Sequence, residues 1–134
     1  MLSPESQALA GILVLALVTV ETGGLYLLQV VRGQAPATAF QEKFARAGHA
    51  HAGVLLVLSL TLQPYADAAG LDGALGWLAR SGVPAAALLM PAGFFFSSMG
   101  AGRSSPNRWI ALVLLGALLL AASLTTLGVG LLVG

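Results

Sequence analysis

The sequence predicts an all-α fold: a single bundle of four membrane-spanning helices. Charged residues make up 8% of the chain and hydrophobic residues 57%, whereas soluble domains carry about 25% charged residues. The mean hydropathy is +0.90. The apolar residues also fall into four segments, each close to the roughly 20 residues that a helix needs to cross the hydrocarbon layer. A chain of 134 residues is expected to form one domain.

The first two spans are expected at about residues 8–31 and 44–62. The first is too long for a signal peptide, lacks a basic start and carries Glu21 near its middle. The second begins near Phe44 and ends before a Gln-Pro-Tyr sequence, which is typical of a turn.

The third span is expected at about residues 84–99, with Pro84 in its first turn. An Arg-Ser-Gly sequence at 80–82 interrupts the apolar residues before it. We therefore expect a separate interfacial helix at about residues 71–79, with its tryptophan at the lipid headgroups. The fourth span, about residues 109–133, is almost purely Leu, Ala, Val and Gly.

The basic residues favour one orientation in the membrane. Five of the six flank the first and third connections: Arg32, Lys43, Arg46, Arg103 and Arg108. By the positive-inside rule, these connections lie in the cytoplasm and both termini lie outside. The expected location is a bacterial inner membrane, which the chain crosses several times.

Composition excludes several classes of function. A net charge of +1 without a basic run argues against a nucleic-acid surface. The chain has no cysteine, which excludes disulfides, thiolate ligands, iron–sulfur clusters and c-type haem attachment. Any metal must therefore be held by histidine or by oxygen ligands.

Two histidines, His49 and His51, lie one residue apart near the start of the second span. An imidazole in an apolar segment needs a partner, and the usual one is a metal or a haem iron. Positions two apart on a helix differ by about 200°, so the two rings cannot bind one iron from the same side. His51 shares a face with Phe44 and Gly48, and Gly48 would let a flat macrocycle approach the backbone.

We expect His51 to be the axial ligand of a haem iron, with His49 as the second candidate. His51 lies roughly 10 Å inside the helix start. The haem propionates would reach basic residues nearer the water, namely Lys43, Arg46, Arg103 and Arg108. In the structural alternative, both rings bond to backbone carbonyls or lie at the interface, and the spacing alone leaves this open.

Glu21 is the other unusual group. An ionised carboxylate at mid-span costs at least about 2.5 kcal/mol, so Glu21 is expected to be protonated, paired or facing a wet cavity. Counted from the same membrane face, it lies within about 5 Å of the depth of His51. It could orient the imidazole or act as a catalytic group that moves protons. A neutral carboxylic acid bonded to a neighbouring helix explains it equally well.

The third span contains a proline followed by aromatic residues. Pro91 is expected to bend the helix, and Phe94, Phe95 and Phe96 follow in three directions about 100° apart. This arrangement suits a small apolar ligand or a macrocycle, and it also suits ordinary lipid-facing packing. Because four short helices enclose little volume, self-association is expected, with a site between subunits.

Several motifs together resemble the styrene oxide isomerase type of small membrane protein. They are ARAGHAHAG at 45–53, PYAD at 64–67 and GFFFSSMGAGRSSPNR at 93–108. They resemble the ARAHSG-like element of that family, its FAD tripeptide after the second helix, its GFYLF-like segment and its SPNR sequence. The resemblance covers Phe44 to Arg108, with a weaker match in GGLY at 23–26.

The resemblance implies a homotrimer of four-helix subunits with haem b held between neighbouring protomers by one histidine. Matching HAG to the family's HSG places this ligand at His51 and puts His49 where the family has arginine. In the family, ferric iron acts as a Lewis acid on an epoxide, which opens and rearranges to an aldehyde. Here Phe95 replaces the family's pocket tyrosine, and two further polar pocket residues are replaced by Val57 and Ala87. Haem binding is carried over, and isomerisation of styrene oxide is not.

Three functions remain open. In the first possibility, the chain is a haem-dependent isomerase that acts on a small apolar substrate from the lipid bilayer, and Glu21 transfers protons. Alternatively, it holds haem for sensing, storage or electron transfer, and His49 or a neighbouring subunit fills the sixth position. In the third possibility there is no haem, and Glu21, His49 and His51 relay protons or a metal ion in a small transporter.

Overall fold

The computed structural model describes the whole chain, Met1–Gly134, and it is entirely helical. Helix α1 spans Pro4–Val31, α2 spans Ala39–Ala68 and α3 spans Gly73–Ser98. A short 3-10 helix, Arg108–Ile110, leads into α4, Ala111–Val133. The predicted all-α fold with four long helices is therefore confirmed. Three of these helices are long and apolar enough to cross a membrane: α1, α3, and α4 with its 3-10 turn. The fourth expected span, about residues 44–62 within α2, stays a prediction.

Local capping sequences start the first two helices earlier than expected. The Ser3 hydroxyl accepts the Ser6 N–H at 3.2 Å, and the proline that follows Ser3 begins α1. Thr38 and Gln41 form a capping box at the start of α2, five residues before Phe44. Both caps satisfy backbone N–H groups that have no partner within the helix, which explains why both helices begin before their apolar segments.

Helix α3 is continuous, which corrects the expectation of an interfacial helix at 71–79 followed by a span beginning at Pro84. Pro84 lacks the N–H that would bond to the Arg80 carbonyl. Instead, the Gln63 side chain of α2 donates to that carbonyl at 3.2 Å. The Ser123 hydroxyl of α4 donates to the Leu78 carbonyl at 2.9 Å. Contacts from both neighbouring helices therefore stabilise a segment whose own sequence favours a break.

The helices form an open row rather than a closed bundle. Helices α2 and α3 pack together at the centre, α1 packs mainly on α2, α4 packs mainly on α3, and α1 does not touch α4. The central core consists of Leu13, Leu55, Leu56, Ala87 and Met90. Helices α3 and α4 approach closely at small residues, since a Cβ on Gly82 would lie 2.5 Å from the Ser123 Cβ. The outer face of α1 remains exposed.

The first and third connections lie together at one end of the row. The Thr38 hydroxyl donates to the Arg103 carbonyl, and Gln41 Nε2 donates to the carbonyls of Ser98 and Gly100 at 3.0 and 2.7 Å. Five of the six basic residues therefore share this end, and Arg80 lies at the other. The charge asymmetry is as the sequence predicts, while the side of the membrane stays a prediction.

Candidate functional site

The two histidines face different helices. His49 packs against α1, where its Nδ1 would lie 3.1 Å from a Cβ placed on Gly23. His51 packs against α3, with its ring centroid 4.9 Å from that of Phe94. This confirms that the rings diverge around α2 and cannot share an ion within one chain. No group of three or more His, Cys, Asp or Glu side chains comes together to hold a metal ion.

The ring of His51 is fixed by its own helix. Its Nδ1 lies 2.8 Å from the Ala47 carbonyl oxygen. Because a carbonyl only accepts hydrogen bonds, Nδ1 carries the proton, and in the neutral ring Nε2 is then the nitrogen with the free lone pair. A backbone carbonyl that fixes this tautomer is a common support for a histidine that binds a metal through Nε2. The residue as a whole is half-buried.

The surroundings of His51 are aromatic and apolar. Phe94 contacts both His51 and Phe44, and the Phe44 and Phe94 ring centroids are 5.5 Å apart. Gly48 is covered by α3, because a Cβ there would lie 3.1 Å from the Phe95 ring and 3.2 Å from the Phe94 Cβ. The expectation that Gly48 leaves room for a macrocycle is therefore corrected. The space beside Gly48 belongs to the contact between α2 and α3.

The basic candidates for propionate binding lie at the end where α2 begins. Lys43 is exposed. Arg46 Nη2 donates to Glu42 Oε1, one turn earlier in α2, at 2.5 Å, and both side chains are exposed. Arg108 lies 5.8 Å from the neighbouring tryptophan ring. Arg103 instead donates to carbonyls within its own connection, so it has a structural role there.

Glu21 does not reach either histidine of its own chain. It is exposed on the outer face of α1, where no hydrogen bond or ion pair holds it. Four exposed apolar residues share its stripe at alternating spacings of three and four: Val14, Val18, Leu25 and Leu28. We call this stripe the α1 seam, and its spacing is that of a helix surface that packs against another helix.

The depth of Glu21 follows from the pairing of α1 with α2. The two helices are antiparallel, and Gly23 lies against His49. Glu21 precedes Gly23 by two residues and His51 follows His49 by two, so both lie about 3 Å along the axes from that contact, in the same direction. Glu21 and His51 are therefore at the same depth. They lie on opposite flanks of α2, because α1 covers only the flank that carries His49.

A cavity of about 230 Å³ lies between α1, α2 and α3, on the flank of α2 that carries His49. Its walls are mostly apolar, and His49 and Thr19 supply the polar side chains. The Thr19 hydroxyl already donates to a carbonyl of α1 at 2.6 Å. Phe95, expected beside the cofactor, lines this cavity together with Pro91. Phe94 is the aromatic residue beside the His51 ring, and the cofactor role expected for Phe95 stays a prediction.

At the other end of the row, Asp67 connects three helices through a polar cluster. It accepts hydrogen bonds from the Ser3 N–H, the Ser3 hydroxyl and the Ser6 hydroxyl, each at 2.8 Å, and from Arg80 Nη2 at 2.9 Å. Burial disfavours the charged form, but the hydrogen bonds from Ser3, Arg80 and Ser6 outweigh it and hold the pKa of Asp67 below its usual range. Sequence reasoning missed this cluster. The available signals were the Ser-Pro helix start and the lone arginine at an otherwise acidic end.

Comparisons of the chain with protein-family models, with curated proteins and with solved structures give no match. The resemblance to the isomerases therefore rests on the motifs alone.

Proposed function

We propose that this chain is a haem b-binding integral membrane protein, with His51 as the single axial ligand of the iron. The observation that carries the proposal is the bond from His51 Nδ1 to the Ala47 carbonyl, which makes Nε2 the unprotonated nitrogen of the neutral ring in a half-buried residue. An unprotonated imidazole nitrogen is the form that binds iron. The neighbouring rings of Phe44 and Phe94 suit a flat apolar group. Exposed cations at the same end of α2 suit its propionates.

The site requires more than one copy of the chain, because a half-buried His51 cannot enclose a macrocycle alone. We infer a cyclic assembly in which the α1 seam of one copy covers the His51 flank of the next. These two surfaces lie on opposite sides of α2, which is what a head-to-tail ring requires. Glu21 would then enter the site from the neighbouring copy at the depth of His51. A polar partner there offsets the cost of a carboxyl group in the apolar layer. Three copies is the number that the resemblance implies.

The candidate reaction is Lewis-acid catalysis on a small apolar substrate. When bound at His51, haem would supply a Lewis acid for a substrate oxygen such as that of an epoxide. The chain's own part is to exclude water with Phe44 and Phe94 and to hold a proton on the Glu21 carboxyl group. Haem binding without turnover is the second candidate. It is favoured because no acidic or basic side chain of the same chain hydrogen-bonds to the His51 ring, whose bond is to the Ala47 carbonyl.

The absorption spectrum of the protein purified in detergent tests the proposal. We expect a red protein with a Soret band, which His51→Ala abolishes. His49→Ala is the matched control on the other flank of α2 and largely keeps the colour. A colourless preparation from haem-replete cells would contradict the proposal. If His49→Ala loses the haem and His51→Ala keeps it, the iron ligand is His49 and the assignment to His51 is wrong. A spectral shift with imidazole or cyanide indicates a free sixth position, whereas a site with two histidine ligands resists both.

Cysteine crosslinking tests the assembly, since the chain contains no cysteine of its own. Val18 and Val54 are exposed, and the Gly23–His49 contact places them at the same depth. The variant with both Val18→Cys and Val54→Cys is expected to form disulfide-linked dimers and trimers in membranes, whereas each single variant stays monomeric under denaturing conditions. Crosslinking of Val18→Cys alone would show a symmetric contact between two α1 helices and would rule out the head-to-tail ring.

A further inference from the structure

We propose that the cavity between α1, α2 and α3 binds a small, largely apolar alcohol, with His49 as its hydrogen-bonding partner. This cavity is separate from the His51 flank, so the proposal does not depend on haem. The cavity would be a second ligand site in the molecule, reached from the lipid layer.

The size of the cavity sets the size of the ligand. Its volume is about 230 Å³, whereas an apolar cavity of about 150 Å³ is large enough to bind benzene. Val20, Leu56 and Pro91 contribute to its apolar wall. A molecule with one six-membered ring and a short substituent therefore fits inside it.

His49 determines the polarity of the ligand. No side chain or backbone group of the chain hydrogen-bonds to its ring, and the other polar side chain of the cavity, Thr19, is already bonded to its own helix. A neutral imidazole offers one donor and one acceptor. A hydrocarbon occupant would leave both without a partner in an apolar setting, whereas a hydroxyl group can pair with either. The cavity therefore matches an alcohol better than a lipid chain.

The cavity opens sideways rather than toward water. Its lining includes Leu88, which is 69% exposed, and the exposed Thr19, so it reaches the lateral surface between α1 and α3. At its inner end the imidazole packs against α1, because a Cβ on Gly23 would lie 3.1 Å from His49 Nδ1. An alcohol dissolved in the bilayer can enter through this opening with its hydroxyl group toward His49.

Binding of 4-fluorobenzyl alcohol and of 4-fluorotoluene, followed by 19F NMR on the protein in lipid nanodiscs, tests the proposal. Wild type is expected to bind the alcohol about tenfold more tightly than the toluene, the effect of one added hydrogen bond. His49→Leu should lower the alcohol affinity to that of the toluene. His51→Leu is the matched control and should leave both affinities unchanged.

Three results would overturn the proposal: equal affinities in wild type, no effect of His49→Leu, or weakened binding in His51→Leu.

Ala52→Leu provides a second test that keeps the histidine, because it adds volume to the cavity wall. It should abolish binding of both probes, and unchanged binding would place them elsewhere. Adding the alcohol to wild type should also shift the His49 15N resonances and leave those of His51 in place. Neither readout depends on whether haem binds at His51.

Discussion

Replacing Asp67 by asparagine should destabilise the protein. The Asp67 carboxylate accepts four hydrogen bonds, two from Ser3 and one each from Ser6 and Arg80. The Asp67 and Arg80 side chains are 17% and 14% exposed, and Ser6 is fully buried. An asparagine would leave the guanidinium group without its charged partner. Removing one partner of a fully buried pair costs about 3–5 kcal/mol. Because this pair is partly exposed, we expect about 2–3 kcal/mol.

Unfolding by SDS in mixed micelles, followed by the loss of helical circular dichroism, measures the effect. Asp72→Asn is the control, because it removes the same charge at the same end from an exposed side chain that makes no cap hydrogen bond. It should change the unfolding free energy by less than about 0.5 kcal/mol. An Asp67→Asn variant as mild as this control would refute the reasoning. Combining Asp67→Asn with Arg80→Met should give a coupling energy of at least about 1 kcal/mol.

Three further predictions concern pH, the α1 seam and helix packing. Because the pKa of Asp67 is below its ordinary value, its stabilisation is complete above the unfolded pKa of about 3.9 and is lost as the pH falls below it. In the SDS titration, the difference between wild type and Asp67→Asn should therefore shrink below about pH 4, and a difference that grows in acid would contradict this. On the proposed haem site, Glu21→Gln should keep the haem and change the affinity for cyanide, and an unchanged affinity would remove Glu21 from the site. Gly82→Ala places a Cβ 2.5 Å from the Ser123 Cβ and should cost about 1–3 kcal/mol in the same titration. Gly128→Ala, which meets nothing within 4 Å, should be neutral or slightly stabilising, and equal effects of the two substitutions would argue against this packing.

Local sequence predicted those features of the fold that depend on neighbouring residues. Runs of apolar residues predicted the four long helices, and the Ser3 and Thr38 caps explain why α1 and α2 begin before those runs. The error in α3 has a different origin. The Arg-Ser-Gly sequence before Pro84 favours a helix end. However, Gln63 of α2 donates a hydrogen bond to the Arg80 carbonyl, and Ser123 of α4 donates one to the Leu78 carbonyl. Both residues are distant in sequence, so no local pattern could have predicted their contribution.

The candidate site divides in the same way. Helical geometry alone required His49 and His51 to point apart, and the structure confirms this. Which helix each ring meets depends on how α1 and α3 pack on α2. The same packing fills the space beside Gly48 and turns Phe95 toward the His49 cavity. These outcomes depend on how the side chains of three helices pack together. The residue pattern of a single helix cannot predict them.

By itself, the sequence determined that this protein is helical, largely apolar and basic at one end, because hydropathy, capping and charge act over a few neighbouring residues. Only the tertiary structure decided that α3 runs unbroken, that Asp67 connects three helices, and that a cavity forms beside His49 while His51 packs against Phe94. The physical reason is that buried polar groups and close-packed surfaces find their partners across space, and the distance along the chain does not limit which partner they find.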